Sequence, residues 1–162
     1  MAFYITSIIL FDSGNLITRE AVERRWTLAT LVLIINTLAW YFASTKRANK
    51  SRSHMFTIVL IGTMLAYAGF STYWERGMAS TSTIFYAFPI LIAATLHNRH
   101  VLIATTALSV ITYSYAAVKY FNDFFNEGFR IQLWGHLVLY AGTLFAVAWI
   151  AMILVGLRKD SK

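Results

Sequence analysis

The 162-residue sequence has no cysteine, one proline and few charges. Without cysteine there can be no disulfide, thiolate metal site or thiol nucleophile. Charged residues make up 13% of the chain, against about 25% in an ordinary soluble domain. Acids are the scarcest class, seven against 14 lysines and arginines. No aspartate or glutamate falls within any long apolar run, which excludes the intramembrane carboxylates expected of proton-coupled pumps. The expected catalytic signatures are absent too: there is no nucleophile elbow, Walker loop, His-Glu-x-x-His or intramembrane carboxylate pair. The sequence therefore offers no catalytic residue, metal site or cofactor site.

What is abundant is apolar. Hydrophobic residues are 58% of the chain and aromatics 16%, which rules out intrinsic disorder. The net charge of +7 would fit nucleic acid only if it were gathered on a soluble surface. An apolar helix of about 20 residues crosses a bilayer, and five segments bounded by charge are candidates: Trp26–Ala43, Met55–Trp74, Thr81–Leu96, Val101–Tyr120 and Ile131–Leu157. The expected fold is thus all-α, a single polytopic membrane domain over residues 1–162 with a five-helix bundle. Ala2–Phe11 is too short to cross and lacks signal-peptide features, so an interfacial position is expected for it. Asp12-Ser13-Gly14-Asn15 forms a turn cluster, and Thr18 is the expected N-cap of the next helix.

Charge sets the orientation. With the 44–54 loop inside, Lys46, Arg47, Lys50, Arg52, Arg99, Arg158, Lys159 and Lys162 lie on the inner side. Arg19, Arg24, Arg25, Arg76, Lys119 and Arg130 lie outside, balanced by Asp12, Glu20, Glu23, Glu75, Asp123 and Glu127. Only Asp160 joins the inner set. The positive-inside bias puts the N-terminus outside and the C-terminus in the cytoplasm. The basic balance then reads as orientation and attraction to inner-leaflet lipid, with no nucleic-acid partner.

Several residues inside the spans carry candidate roles. Pro89 removes a backbone bond and gives either a fixed kink or a hinge. Asn36 needs a partner in hydrocarbon; an interhelix hydrogen bond is the ordinary reading and a ligand contact the sharper one. The small pairs Gly62/Ala66 and Gly142/Ala146 permit close helix approach, either within the chain or in a homodimer. His97 and His100 flank a tight turn with Arg99, where solvation is the ordinary role of histidine. At the other side, Tyr113 and Tyr115 fall at a similar depth to Trp134 and His136. Spaced phenylalanines in the 119–130 connection (Phe121, Phe124, Phe125, Phe129) look like an amphipathic lid. Tyr113, Trp134 and His136 either belong to core packing and an interfacial aromatic belt, the ordinary reading, or line an aromatic pocket for a small amphipathic ligand, the sharper one.

Thr81–Val118 carries a proline-containing apolar run, the small pair Ala93-Ala94, a short turn with Arg99, and an alanine-rich span with Ala104 and Ala107. This stretch resembles the paired central helices of multi-span membrane sensor domains of bacterial histidine kinases. The resemblance implies a bacterial inner-membrane location, a homodimer, and a last helix that leads into a cytoplasmic output beyond Lys162. It implies two-component signalling, with phosphoryl transfer carried out by a transmitter this sequence does not contain. The expected function is a sensor or receptor module that passes a ligand or bilayer signal through its last helix. The alternative is a small transporter or channel subunit.

Overall fold

The computed structural model describes residues 2–13, 19–44, 50–75, 77, 80–124 and 130–160. Among these residues all regular structure is helical. In chain order the α-helices are α1 (Ala2–Ser13), α2 (Arg19–Ser44), α3 (Lys50–Trp74), α4 (Ala87–Thr95), α5 (Arg99–Phe124) and α6 (Arg130–Asp160). A 3-10 helix, Thr81–Tyr86, leads directly into α4. Among the described residues four segments are long and apolar enough to cross a membrane: Val22–Phe42, His54–Trp74, Arg99–Phe124 and Ile131–Gly156. The third segment expected to cross is shorter, Ser82–Thr95. Its 3-10 portion rises about 2.0 Å per residue and its α portion about 1.5 Å. The 15 residues of Thr81–Thr95 therefore reach about 25 Å, somewhat less than the hydrocarbon core of about 30 Å.

The chain divides into two compact units, Met1–Phe56 and Thr57–Lys162, with the boundary inside α3. In the first unit α1 packs against α2. Ile8 is fully buried, opposite a stripe of Val22, Leu28, Ala29 and Val32 on α2. The 12-residue α1 is about 18 Å long, too short to cross. It continues through Asp12 and Ser13, so the expected turn begins later than the sequence indicated. Gly14, Asn15, the Thr18 cap, and Lys46 and Arg47 lie outside the described residues. At the start of α2, Arg24 pairs with Glu20, and Arg19 approaches Glu23 at 4.0 Å. These i,i+4 pairs neutralise part of the basic cluster preceding the apolar stretch.

The second unit holds the core. α4 lies against both α5 and α6. Its Ile90 and Ala93 are fully buried, and they meet Leu102 and Ala117 of α5 and Leu144 and Ala148 of α6 in one cluster. The buried face of α6 is Leu133, Leu137, Leu144, Ala148 and Ala151, a narrow stripe at spacings of three and four. Outside, the same helices present Ile103, Leu108 and Ile111, and Val138, Phe145 and Trp149. Inside are Ser71, Thr72, Ser82, Thr105, Thr106 and Ser109. Large apolar groups outward, around an apolar core that also contains hydroxyls, depart from the order of a water-soluble protein. In lipid the arrangement is favourable, because packing of small and hydroxylic residues drives helix association there. The α5 hydroxyls are satisfied within their own helix: Thr106 Oγ1 donates to the Leu102 carbonyl at 2.8 Å, and Ser109 Oγ to that of Thr105 at 2.9 Å.

Within the chain, the small pairs expected to pack helices together, there or in a homodimer, are exposed. Ala146 is not buried: it is exposed on the outer face of α6, contrary to the expected packing role. It stands two residues from both Leu144 and Ala148, and residues two apart on a helix face opposite sides. With Leu144 and Ala148 inward, Ala146 must point outward. Its partner Gly142 is exposed as well, and so are Gly62 and Ala66 on α3. The small residues that α6 buries are Ala148 and Ala151 instead.

Pro89 falls in the first turn of α4, just after the change from 3-10 to α geometry. The helix type changes at Tyr86–Ala87, where the Ala87 N–H bonds back to the Ile84 carbonyl, and the 3-10 helix itself starts at Thr81. The Ser80–Thr83 run caps this start. Ser80 Oγ accepts from the Ser82 N–H at 3.0 Å, and Thr83 Oγ1 donates to the Ser80 carbonyl at 2.6 Å. The Glu75 carboxylate accepts from both Ser80 Oγ and Ser82 Oγ, tying the end of α3 to the new helix.

At the opposite end, α4 stops with His97 in the left-handed region, φ 53°. His97 Nδ1 lies 2.8 Å from the Thr95 carbonyl, so this ring is held in the turn rather than on a helix face beside His100. Asn98 then caps α5, its Oδ1 accepting from the His100 N–H at 3.0 Å and more weakly from that of Val101 at 3.4 Å. Asn98→Ala is expected to cost about 1 kcal/mol, seen as a lower thermal midpoint of the purified chain, whereas Asn98→Ser should remain near wild type.

A buried tyrosine and histidine cluster

The second unit contains an aromatic chain that joins three elements. Tyr86 ends the 3-10 helix and is fully buried. Its ring meets that of Tyr113 on α5 edge to face, with centroids 5.8 Å apart. Tyr113, also fully buried, meets Tyr140 on α6 in the same manner at 5.3 Å. Tyr140 stacks on His136, one turn earlier on α6, at 5.9 Å. Edge-to-face and offset contacts of this kind follow the ring quadrupoles. On the α3 side, Thr72 faces the Tyr86 hydroxyl, and Gly69 leaves room for it: a Cβ at residue 69 would sit 3.8 Å from that oxygen.

Depth follows from helix rise. Tyr113 is 11 residues from Phe124 and Tyr140 ten residues from Arg130, so both rings lie about 15 Å from that end of the bundle. Charged side chains begin nearer, at Lys119, six residues or about 9 Å of helix rise from Tyr113. α5 itself runs on to Phe124. Half of the supposed lid is thus the last turn of α5, where Phe121 is buried and Tyr120 packs on Tyr73 at 6.1 Å. Phe125 and Phe129 lie outside the described residues.

The cluster holds polar atoms in an apolar setting. The Tyr113 hydroxyl and Nδ1 of His136 are buried and make no hydrogen bond to any described residue. Such groups cost free energy unless they meet a partner. The groups left without a bond in the cluster are a phenol and an imidazole nitrogen. Among the described residues no group of three His, Asp or Glu is placed to hold a metal ion.

Of the expected pocket residues, the structure brings Tyr113 and His136 together through Tyr140. Trp134 is not part of the cluster: it is 62% exposed on the outer face of α6. Tyr115 likewise points outward, 69% exposed. Asn36 is half-buried on α2 and belongs to the first unit. A Cβ added at Gly62 or Gly142 would meet nothing within 4 Å, so neither glycine marks a close approach. Close helix approach in this unit occurs at Gly69 instead, where an added Cβ would lie 2.9 Å from the Thr112 methyl.

Tyr86 and Tyr140 are the site residues missing from the sequence reading. The signal for Tyr140 was its i,i+4 spacing from His136, which puts both on one helix face. Tyr86 had no comparable signal, since its position depends on the 3-10 geometry. No family model, curated protein or solved structure matches the chain.

Proposed function

We propose that the chain is a membrane-embedded sensor or receptor module. In this reading Thr81–Leu96 crosses with the four longer helices, giving five spans with the N-terminus outside and the C-terminus in the cytoplasm of a bacterial inner membrane. A small amphipathic ligand, or the state of the bilayer, acts on the Tyr86–Tyr113–Tyr140–His136 cluster. The observation that carries the reading is this cluster: buried phenol and imidazole groups join the 3-10 helix, α5 and α6 in one packed unit. A ligand that bonds the Tyr113 hydroxyl or the His136 imidazole in one arrangement of these helices and not in another shifts the balance between them. The 31-residue α6 is about 46 Å long and carries the shift beyond the hydrocarbon core. The proposed recipient is a cytoplasmic output of the histidine kinase type beyond Lys162, in a homodimer.

The absence of cysteine makes a clean test. Nitroxide labels on I103C and I153C, both on lipid-facing positions, report the separation of α5 and α6 in bilayers of differing thickness. Two distance populations are expected whose ratio changes with thickness in the parent. In the H136L variant the ratio is expected to be fixed. A single distance, invariant across bilayers and variants, would defeat the sensor reading. The alternative, a small transporter or channel subunit, draws on the buried hydroxyls of α3 and the 3-10 helix. It requires ion or solute flux into vesicles containing the purified chain. The back-bonded hydroxyls of α5 weigh against it, because their protons are already donated to backbone carbonyls.

A further inference from the structure

A second feature of the same unit lies on its lipid side. α3 touches α5 at Gly69 and again where the Tyr73 hydroxyl donates to Asp123 Oδ2 at 2.7 Å. Alongside these contacts runs a groove of about 370 Å³. Its floor is small, made by Ala66, Gly69 and Ala116. Its walls are aromatic, Phe70 from α3 and Tyr115 from α5, both more than half exposed. Its mouth is polar, with Tyr73, Trp74 and Lys119.

We propose that this groove holds one acyl chain of a phospholipid whose headgroup carries a phosphate and a primary ammonium, seated at Lys119 and Asp123. The proposal is independent of the sensor reading and requires only that α3 and α5 span the bilayer. Three observations carry it. First, the depth fits. Ala66 to Trp74 covers about 12 Å of helix rise, close to one leaflet of a core about 30 Å thick. Second, the polarity is graded as a lipid's is: along the groove the lining is mostly apolar, with the hydroxyl-bearing side chains Thr112 and Tyr115 among it, and charge is confined to the mouth. Tyr73 and Trp74 sit where interfacial aromatics are expected.

Third, the charges at the mouth are complementary to a zwitterion. Lys119 Nζ lies 3.6 Å from Asp123 Oδ2 and 5.9 Å above the Tyr73 ring. The pair is about half exposed, so each partner remains open to a headgroup. Tyr73 engages one carboxylate oxygen, and an ionised carboxylate has lone pairs left on both. An anionic headgroup meets Lys119 but is opposed by Asp123. A phosphate–ammonium headgroup matches both, and a primary ammonium supplies the N–H donors for charge-assisted bonds to the carboxylate. A choline headgroup has no such donor.

The test is native mass spectrometry of the full chain, equilibrated with equimolar phosphatidylethanolamine, phosphatidylcholine and phosphatidylglycerol of identical acyl chains. One retained lipid is expected, with phosphatidylethanolamine favoured by about tenfold, the ratio that one good charge-assisted contact provides. Ala66→Phe places a ring in the groove at an exposed position and is expected to abolish retention for all three lipids. Asp123→Asn, at the surface, is expected to turn the preference toward phosphatidylglycerol because Lys119 is then uncompensated. Retention of phosphatidylglycerol or phosphatidylcholine as strong as that of phosphatidylethanolamine in the parent overturns the proposal. So does retention that Ala66→Phe leaves unchanged.

Discussion

Gly77→Ala is expected to lower the stability of the chain by roughly 2–5 kcal/mol, among the larger effects available to a single methyl group. Two independent costs combine. Gly77 has φ +59°, a left-handed conformation that costs an L-residue about 1–2 kcal/mol. Its Cβ would also lie 2.7–2.8 Å from Cδ1, Cβ and Cγ of Tyr120, and overpacking of this kind costs about 1–3 kcal/mol. The obstacle includes the Cβ and the base of the ring, which cannot swing away as a flexible side-chain tip can. Tyr120 in turn packs on Tyr73 and Phe124, so displacing it loosens the contact between α3 and the end of α5. Thermal midpoints in detergent for the parent, G77A, Y120G (which removes all three contacting atoms) and the double variant separate the two costs. The double variant should recover the overlap part and retain the backbone part. A G77A midpoint within one degree of the parent would show that the turn tolerates a side chain.

The helices were legible because hydrophobic runs bounded by charge are a strong signal. Four of the expected spans coincide with long apolar helices to within a few residues. The ends were less legible. α5 continues four residues past Tyr120 because Asn122 and Asp123 need not end a helix when their side chains reach water. Asp123 is held there by Lys119, one turn earlier, and by Tyr73. The 3-10 helix was not legible at all. It arises from capping by Ser80, Thr83 and Glu75, and a Ser/Thr-rich stretch carries no periodicity that distinguishes 3-10 from α geometry.

The site was half legible, and the reason is helical geometry. Tyr113 and Tyr115 are two residues apart, as are Trp134 and His136. At 3.6 residues per turn, residues two apart stand on opposite faces. One member of each pair therefore had to point inward and the other to lipid. Composition placed all four at a plausible depth, but it could not choose between faces. The structure chooses Tyr113 and His136 for the interior and leaves Tyr115 and Trp134 outside. The small-residue pairs lie outside the packing of the chain for a related reason. Spacing of four identifies a stripe on a helix, but not what that stripe faces. Gly142 and Ala146 form such a stripe, yet it faces outward rather than into the bundle. Gly69, which does make a close approach, stands three residues from Ala66 and escaped a search for fours.

Tyr113→Ala is expected to cost about 3–5 kcal/mol, the range for removing a large buried aromatic. The ring touches both Tyr86 and Tyr140, so its loss opens a cavity between the 3-10 helix, α5 and α6. Tyr113→Phe is the more informative change. It keeps the ring and both edge-to-face contacts while deleting a hydroxyl that bonds to no described residue. If Tyr113 serves packing alone, the phenylalanine variant is at least as stable as the parent, because a buried unpaired hydroxyl costs about 1–3 kcal/mol, and its α5–α6 distances respond to bilayer thickness as before. If the hydroxyl is the contact through which a ligand or bilayer state acts, the variant is equally stable but the labelled I103C/I153C pair no longer responds. Thermal midpoint and label distance, measured on the same sample, therefore distinguish a structural ring from a sensing hydroxyl. A Tyr113→Phe variant less stable than the parent would mean that the hydroxyl has a partner whose bond stabilises the fold, and the cluster would then be a structural polar network instead of a binding surface.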